Sequence, residues 1–157
     1  MAVYMKVPYA SGSVTTSGYK GWINLDSIEV GVTRSLAMEH ADLSARGSGV
    51  PKFSQATVQK ETEEASPGIL GELVNSTSGQ KVEVVVVDAS ETPKEIVRYT
   101  FKDALPNTYE ITGMGNTAYE KLSFVYSEIE ITFAPRKASN TKNAPNRVQY
   151  DLKSRGG

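Results

Sequence analysis

The sequence predicts a mainly β fold, in which a curved sheet curls toward a barrel or packs as a two-sheet sandwich. Three observations predict it: apolar and polar residues alternate in several segments, two long segments shift this alternation midway, and one short segment has helical periodicity. With 157 residues the chain is long enough for one domain with a well-buried core. We therefore treat residues 1–157 as a single domain.

The clearest strand signals lie in the middle of the chain. Between residues 96 and 102, apolar side chains alternate with polar ones, as in a strand with one buried face. Residues 82–88 are richer in valine, because Val85 and Val87 make the second face apolar as well. Such a face is too apolar to be left in water. We expect something to cover it, and a neighbouring copy of the chain is a candidate.

Two long segments predict bent strands. In residues 19–33 the apolar parity shifts after Leu25, and in residues 119–134 it shifts after Tyr126. Because a one-residue slip turns every later side chain to the other face, we expect a bulge in each segment that restores the facing. Apolar side chains on both sides of each shift should then face the core. They are Ile23, Leu25, Ile28, Val30 and Val32 in the first segment, and Leu122, Phe124, Tyr126, Ile129, Ile131 and Phe133 in the second.

One helix is predicted after residue 65. Ser66 is a favourable N-cap, Pro67 suits the first helical turn, and Gly79 is the expected stop. A stripe of apolar residues should pack this helix against the sheet. The stripe consists of Ile69, Leu70, Leu73 and Val74.

Three segments lack a sustained period. Residues 10–18 are predicted to form a polar loop, and residues 34–52 a long extended loop that contains two glycines and a proline. Residues 136–157 form a basic C-terminal segment, with six Lys and Arg residues and a single Asp. We expect this segment to contain one short strand over 147–152.

Composition excludes several classes of active site. The chain has no cysteine and a single histidine, His40, so disulfides, thiolate metal sites and sites with two imidazoles are excluded. It has no phosphate-binding loop and no GxSxG turn of a serine hydrolase. The glutamates at 61–64 and at Glu128 and Glu130 are interpreted as solvated. We therefore expect no enzyme activity, no cofactor and no metal.

Charge and hydropathy restrict the partners. The net charge of −1 disfavours nucleic-acid binding driven by phosphate neutralisation. No apolar run is long enough to span a membrane, so we expect no membrane insertion. The N-terminal residues have no apolar core typical of a secretory signal peptide. We expect a cytoplasmic protein that, if exported, leaves by a route that reads no such signal.

Five segments, in their order and spacing, carry a family resemblance. They are the opening strand 1–7, the Lys-Gly-Trp-Ile segment with its Ser and Gly at 20–31, the Lys…Ala-Ser-Pro…Leu segment at 60–70, the Leu-x-Phe…Ile-x-Ile-x-Phe-x-Pro segment at 122–135, and the closing strand 148–151. Together they resemble the hemolysin-coregulated protein (Hcp) family, which forms the tube of bacterial type VI secretion systems. The segment at 60–70 is the most specific of the five.

The resemblance implies both a fold and an assembly. The implied fold is a two-sheet β-barrel with one flanking α-helix and a long extended loop. The implied assembly is a homohexameric ring that stacks into a tube within a contractile sheath, is capped by a spike protein and can hold effector proteins in its lumen. Such a protein is cytoplasmic before firing and is then secreted to the outside without a signal peptide.

The resemblance also assigns roles to individual residues. In the Hcp family, the strand that corresponds to residues 28–32 belongs to the sheet that lines the pore. The resemblance therefore implies that Glu29 faces the lumen. In the Hcp family, the corresponding long loop projects from the ring toward neighbouring subunits. The resemblance therefore implies that residues 34–52 contact an adjacent subunit or the next ring. The apolar residues of that loop that would make these contacts are Leu36, Met38, Leu43 and Val50.

Other functions remain open at this stage. A barrel of this size could bind a small ligand in an apolar cavity as a monomer. A tube protein of a contractile phage tail is the alternative most similar to the secretion-tube hypothesis. An enzyme that uses only Glu, Asp and Ser is a third class, and the absence of catalytic motifs disfavours it.

Overall fold

The computed structural model describes residues 1–34, 49–134 and 146–153. Within these ranges it contains one helix and eleven strands. The strands are β1 (Ala2–Lys6), β2 (Ile23–Leu25), β3 (Ser27–Glu29), β4 (Val32–Thr33), β5 (Lys52–Phe53), β6 (Ala56–Glu61), β7 (Gln80–Val87), β8 (Glu95–Met114), β9 (Thr117–Val125), β10 (Glu128–Phe133) and β11 (Asn146–Asp151), and the helix is α1 (Ser66–Asn75).

Nine of these strands form one continuous antiparallel sheet. Its order is β2-β1-β7-β8-β9-β6-β3, with β10 paired to β8 and β11 paired to β10. Strand β8 is shared, because its first half pairs with β7 and β10 and its second half pairs with β9. The two halves meet at Asp103, whose positive φ of 51° bends the strand. A register shift between Pro106 and Thr108 follows immediately.

These pairings confirm the mainly β class with a single described helix. They establish a sheet that is bent at β8. Among the described pairings, none joins the two end strands β2 and β3 to each other. Along the chain, β2 and β3 are separated by one residue, Asp26, whose N–H donates to the carbonyl of Gln59 in β6. The described pairings thus give the bent sheet rather than a closed barrel.

The predicted phase shifts occur as breaks between strands rather than as bulges within them. Asp26 separates β2 from β3, and residues 126–127 separate β9 from β10. Side chains on both sides of the second break are buried, including Phe124 and Ile129. The first segment was predicted less well, because Val32 is 54% exposed and lies in the separate two-stranded β4–β5 ribbon. Phe133 is likewise exposed where it was expected in the core.

The concave side of the bent sheet holds the main core. Aromatic rings meet there, with the ring centroids of Phe101 and Phe124 5.0 Å apart and edge to face. The largest fully buried apolar side chains come from five of the strands and the helix. They are Phe101, Phe124, Met5, Ile23, Ile69, Leu122 and Ile129.

The second apolar face of β7 is covered by the chain itself. Val85 and Val87 are buried against a satellite cluster formed by Tyr4, Val14, Tyr19 and Trp22. The loop over residues 11–22 places three of these side chains there, and backbone bonds such as Val14 N–H to the Trp22 carbonyl hold the loop together. The prediction that this face is covered is confirmed. The expectation that a neighbouring copy of the chain covers it was wrong, because the 11–22 loop of the same chain already covers this face.

The helix differs from its prediction at both ends and along its stripe. Ala65 is the N-cap, Pro67 lies in the first turn as expected, and Ser76 ends the helix. Gly79 does not stop the helix. Instead it packs so closely on Asp103 that a Cβ atom would lie 2.3 Å from that residue's carbonyl carbon. Of the predicted apolar stripe only Ile69 is fully buried, whereas Leu70 and Val74 are exposed.

Candidate interaction surfaces

A buried polar cluster ties the helix to the sheet. The Nζ atom of Lys60 in β6 donates to Oε2 of Glu120 in β9 at 2.7 Å, and both side chains are almost completely inaccessible to solvent. Ser66, the first residue of α1, donates from Oγ to the same carboxylate oxygen at 2.6 Å and accepts from Lys60 Nζ at 3.0 Å. The N–H of Glu63 also donates to this Oγ. The Lys…Ala-Ser-Pro segment is thus an interior anchor.

This anchor fixes the register of two adjacent strands. Lys60 and Glu120 are direct partners across β6 and β9, and their side chains point inward. Their sequence neighbours therefore point outward, which places Gln59 and Lys121 side by side on the other face of the sheet. A slip of one residue would bury these side chains and expose the ion pair.

The outward side of β3, β6, β9 and the second half of β8 is a polar surface, which we call the polar face. Two rows of side chains cross it. One row runs from Glu29 through Thr57 to Ser123, and the hydroxyl oxygens of the last two lie 3.0 Å apart. The other row runs from Gln59 through Lys121 to Glu110. The polar face consists of Ser27, Glu29, Thr57, Gln59, Glu61, Thr108, Glu110, Thr112, Tyr119, Lys121 and Ser123.

The charged groups of the polar face are exposed and unpaired. In the described part of the chain, Glu29, Glu61, Glu110 and Lys121 take part in none of the side-chain ion pairs. Lys121 separates two open depressions on this face. One is about 450 Å³ and reaches toward Met114 and Tyr119, and the other is about 230 Å³ and reaches toward Glu29.

The other outward surface of the sheet has the opposite character, and we call it the paired face. It consists of the outward charged side chains of β7, β10, β11 and the first half of β8. Ion pairs join Lys81 to Glu83, Glu83 to Arg98, Arg98 to Glu95, Lys102 to Glu128 and Arg147 to Glu130. Its charges are thus compensated within the subunit, unlike those of the polar face.

The edge of the paired face is electrostatically coupled to the satellite cluster. A hydrogen bond from Arg98 lowers the pKa of Glu95 below its usual range. Burial, with help from the hydrogen bond to Glu95, raises the pKa of the Tyr19 hydroxyl to about 12. The Arg98 guanidinium also lies 5.8 Å from the ring centroid of Trp22. These contacts hold the 11–22 loop on the sheet.

The residues expected to make contacts differ in what the structure describes. Glu29 is exposed on the polar face, opposite Thr57. Val50 is 54% exposed. Leu36, Met38, Leu43 and His40 lie outside the described residues, as does most of the basic C-terminal segment, of which the structure describes only residues 146–153.

The described residues offer neither a metal-binding cluster nor a membrane-spanning helix. Among them, no group of three acidic or histidine side chains could hold a metal ion. Of the helices in the same residues, none has the length and hydropathy to cross a membrane.

Comparison with known proteins decides the family. The sequence model of the type VI secretion system effector family, Hcp, matches residues 4–133. The chain belongs to the Hcp family. No curated protein sequence matches the chain.

Solved structures agree in fold with this membership. A type six secretion system protein has 18% identity and a TM-score of 0.86, covering 98% of this chain and 96% of its own. Hcp1 from Salmonella typhimurium has 17% identity and a TM-score of 0.77, covering 98% and 95% respectively. A type VI secretion system effector from Yersinia pestis has 15% identity and a TM-score of 0.75, covering 95% and 98%. At such identities the likeness concerns the fold.

Sequence reasoning missed several residues of these surfaces. Glu120, Lys121 and Glu110 were not singled out, although Glu120 anchors the helix and the other two face each other on the polar face. The available signal was the alternation in 117–125, which puts Glu120 on the same side as Leu122 and Phe124. A carboxylate on an apolar face needs a buried partner, and in the structure this partner is Lys60.

Proposed function

We propose that this chain is the tube subunit of a type VI secretion system, acting as a structural protein without enzyme activity or a cofactor. Six copies form a ring, and rings stack into the inner tube that the contracting sheath expels. The observation that carries this proposal is the family match over residues 4–133, together with agreement in fold over nearly the full chain. In this role the two halves of the bent sheet act as the walls of a two-sheet barrel.

Ring formation gives the exposed apolar edge of the sheet a partner. β11 is the last strand on its side of the described sheet. On the core-facing side of β10 and β11, Phe133 is 45% exposed and Val148 is 56% exposed. An open edge with apolar side chains is an aggregation hazard unless another surface covers it. In a closed ring the same surfaces repeat, so each copy covers the edge of its neighbour.

The polar face supports the lumen assignment of Glu29. A lumen that passes water and protein cargo needs a wall that is stable in solvent, and Glu29 is exposed among outward side chains that are polar. In this proposal the partners are other copies of the chain, the spike protein, the sheath and effector proteins held in the lumen. The protein assembles in the cytoplasm and is secreted with the tube.

The long loop, residues 34–52, supplies contacts between subunits in the proposed tube. Leu36, Met38, Leu43 and Val50 would be the apolar anchors, and the exposure of Val50 leaves it available for such a contact. Replacing residues 36–50 with a short Gly-Ser linker tests this role. The sheet should still fold while ring or tube assembly weakens, and unchanged assembly would contradict the role.

A small-ligand barrel is less well supported. Its cavity would have to lie on the concave side of the sheet, where side chains such as Phe101, Phe124 and Met5 are fully buried against one another. A phage-tail tube protein would share the ring geometry, and the genes next to this one would distinguish the two tubes.

Negative-stain imaging of the purified chain tests the proposal. We expect six-membered rings with a central hole. The variant Glu29→Arg should keep the rings but change which cargo they retain. Loss of rings in this variant would place Glu29 at a subunit contact instead of the lumen, and particles without a ring in the unsubstituted chain would contradict the tube assignment.

A further inference from the structure

The polar face differs from the rest of the sheet surface in the state of its charges. On the paired face every outward carboxylate of β10 has a basic or amide partner, including Glu128 with Lys102 and Glu130 with Arg147. On the polar face, Glu29, Glu61 and Glu110 have no such partner among the described residues. Unpaired surface charge is available to an external partner, whereas compensated charge is not.

The balance of charge on this face is acidic. Its three carboxylates accompany one ammonium group, that of Lys121. Glu110 is the direct cross-strand neighbour of Lys121, yet the two form no ion pair. In a ring in which this face lines the lumen, the excess of negative charge is repeated in every subunit, and the low-dielectric walls concentrate its field.

The spacing of the carboxylates fits an extended partner rather than a single ion. Glu29 on β3 and Glu110 on β8 are separated by three strand-to-strand steps, or about 14 Å across the sheet. Apolar side chains flank the charged centre, with Met114 62% exposed and Val125 45% exposed. Separated acidic groups with apolar flanks match a polypeptide that carries several lysines or arginines and some apolar residues.

We propose that the polar face binds basic polypeptide segments, so that the cargo of this tube is selected by exposed Lys and Arg clusters. This inference rests on the proposed function, because it identifies the class of cargo for the face assigned to the lumen. Glu29, Glu61 and Glu110 attract the partner, and Lys121 limits the attraction. Electrostatic selection of this kind weakens as salt screens the charges.

Fluorescence anisotropy with two labelled peptides tests the proposal. The first peptide alternates lysine with serine, and the second has glutamate in place of lysine. We expect the full chain to bind the lysine peptide, to ignore the glutamate peptide, and to lose most of the binding between about 20 and 200 mM NaCl. Equal binding of both peptides, or binding unaffected by salt, would overturn the proposal.

Matched variants separate a local site from the effect of net charge. The triple variant Glu29→Gln, Glu61→Gln, Glu110→Gln should weaken binding of the lysine peptide about tenfold, and Lys121→Gln should strengthen it about twofold. The control variant Glu83→Gln, Glu128→Gln, Glu130→Gln removes the same number of charges from the paired face and should change binding by less than about twofold. Equal losses in the two triple variants would assign the binding to net charge and overturn the site.

The same samples distinguish failure of this inference from failure of the tube assignment. Native mass spectrometry of each variant reports the ring, and peptide binding reports the polar face. Rings that bind both peptides alike would support the tube assignment and contradict the selection of basic cargo. A monomer that binds the lysine peptide through Glu29, Glu61 and Glu110 would support the binding role of the polar face and contradict its placement in a ring lumen.

Discussion

Lys60 and Glu120 form an ion pair in the interior, with Nζ and Oε2 2.7 Å apart and both side chains at most 1% exposed. Ser66 completes the cluster and couples the start of α1 to β6 and β9. The other carboxylate oxygen of Glu120 is buried without a hydrogen-bond partner among the described residues. Removing one charge of such a pair leaves the other uncompensated in a medium that solvates it poorly.

We therefore expect Lys60→Met to lower the free energy of unfolding by about 3–5 kcal/mol. The double variant Lys60→Met, Glu120→Leu should recover much of this loss because it removes both charges. Urea denaturation followed by circular dichroism measures both values. As a control, Lys153→Ala breaks the exposed pair with Asp103 and should change the urea midpoint very little, because solvent screens an exposed ion pair. A double variant no more stable than the single one would show that shape, and not unpaired charge, causes the loss.

Two glycines provide a matched test of the packing at the bend of β8. Gly79 has no room for a methyl group against the backbone of Asp103, so Gly79→Ala should cost about 2 kcal/mol or more. Gly71 lies within α1 with open space around it, so Gly71→Ala should stabilise the chain by up to about 1 kcal/mol. Thermal unfolding of both variants checks the opposite signs. A neutral Gly79→Ala would mean that β7 and β8 are not held together at this point.

The 11–22 loop contributes to the stability of the single subunit. Trp22 is 8% exposed and packs edge to face on Tyr19. Its replacement by Ala should cost about 3 kcal/mol, and Lys6→Ala, which removes a cation–π contact, less than about 1 kcal/mol. Because the cover of β7 belongs to the same chain, the loss should not vary with protein concentration. A loss that grows on dilution would place part of this surface in a subunit contact.

Alkaline pH should destabilise the fold through its partly buried tyrosine hydroxyls, among them those of Tyr19 and Tyr126. Burial raises the pKa of Tyr126 to about 12, as it does for Tyr19. Since the folded-state pKa lies above the unfolded value near 10, these hydroxyls favour the folded state below pH 10, and this contribution is lost as the pH rises from about 10 to 12.

Tyr126→Phe should flatten this decline, although it also removes the hydrogen bond that the Tyr126 hydroxyl donates to the Ser54 carbonyl at 2.7 Å. The denaturation midpoint measured against pH, with tyrosinate absorbance recorded in parallel, checks the expectation. A midpoint that stays constant across this range in the unsubstituted chain would contradict it.

The sequence contained enough information for several strands and for the shift of facing in residues 119–134, whereas β6 and the second half of β8 were not predicted. Parity in 119–134 predicts that Phe124 and Ile129 are both buried, because burial of one sheet face imposes a period of two whatever the neighbours are. The family resemblance follows from the order and spacing of five segments, and the outward position of Glu29 follows from its parity opposite Ile28 and Val30. Whether this face lines a lumen depends on other copies of the chain.

Other features depend on partners that are distant in the sequence. Glu120 was not singled out from the sequence, and its register with Lys60, 60 residues earlier, makes it an interior anchor. Gly79 resembled a helix stop, but contact with Asp103 decides its role. The apolar stripe on α1 was overestimated because periodicity shows which residues share a face and not how much of that face the sheet covers. The exposure of Leu70 and Val74 is the result.

The most direct test of the central claim, that this chain is a ring-forming tube subunit, is its mass by native mass spectrometry. A hexameric ring predicts a dominant species of about 100 kDa, six times the 17.0 kDa of one chain. A species at 17.0 kDa alone, at micromolar concentration and physiological salt, would contradict the tube assignment.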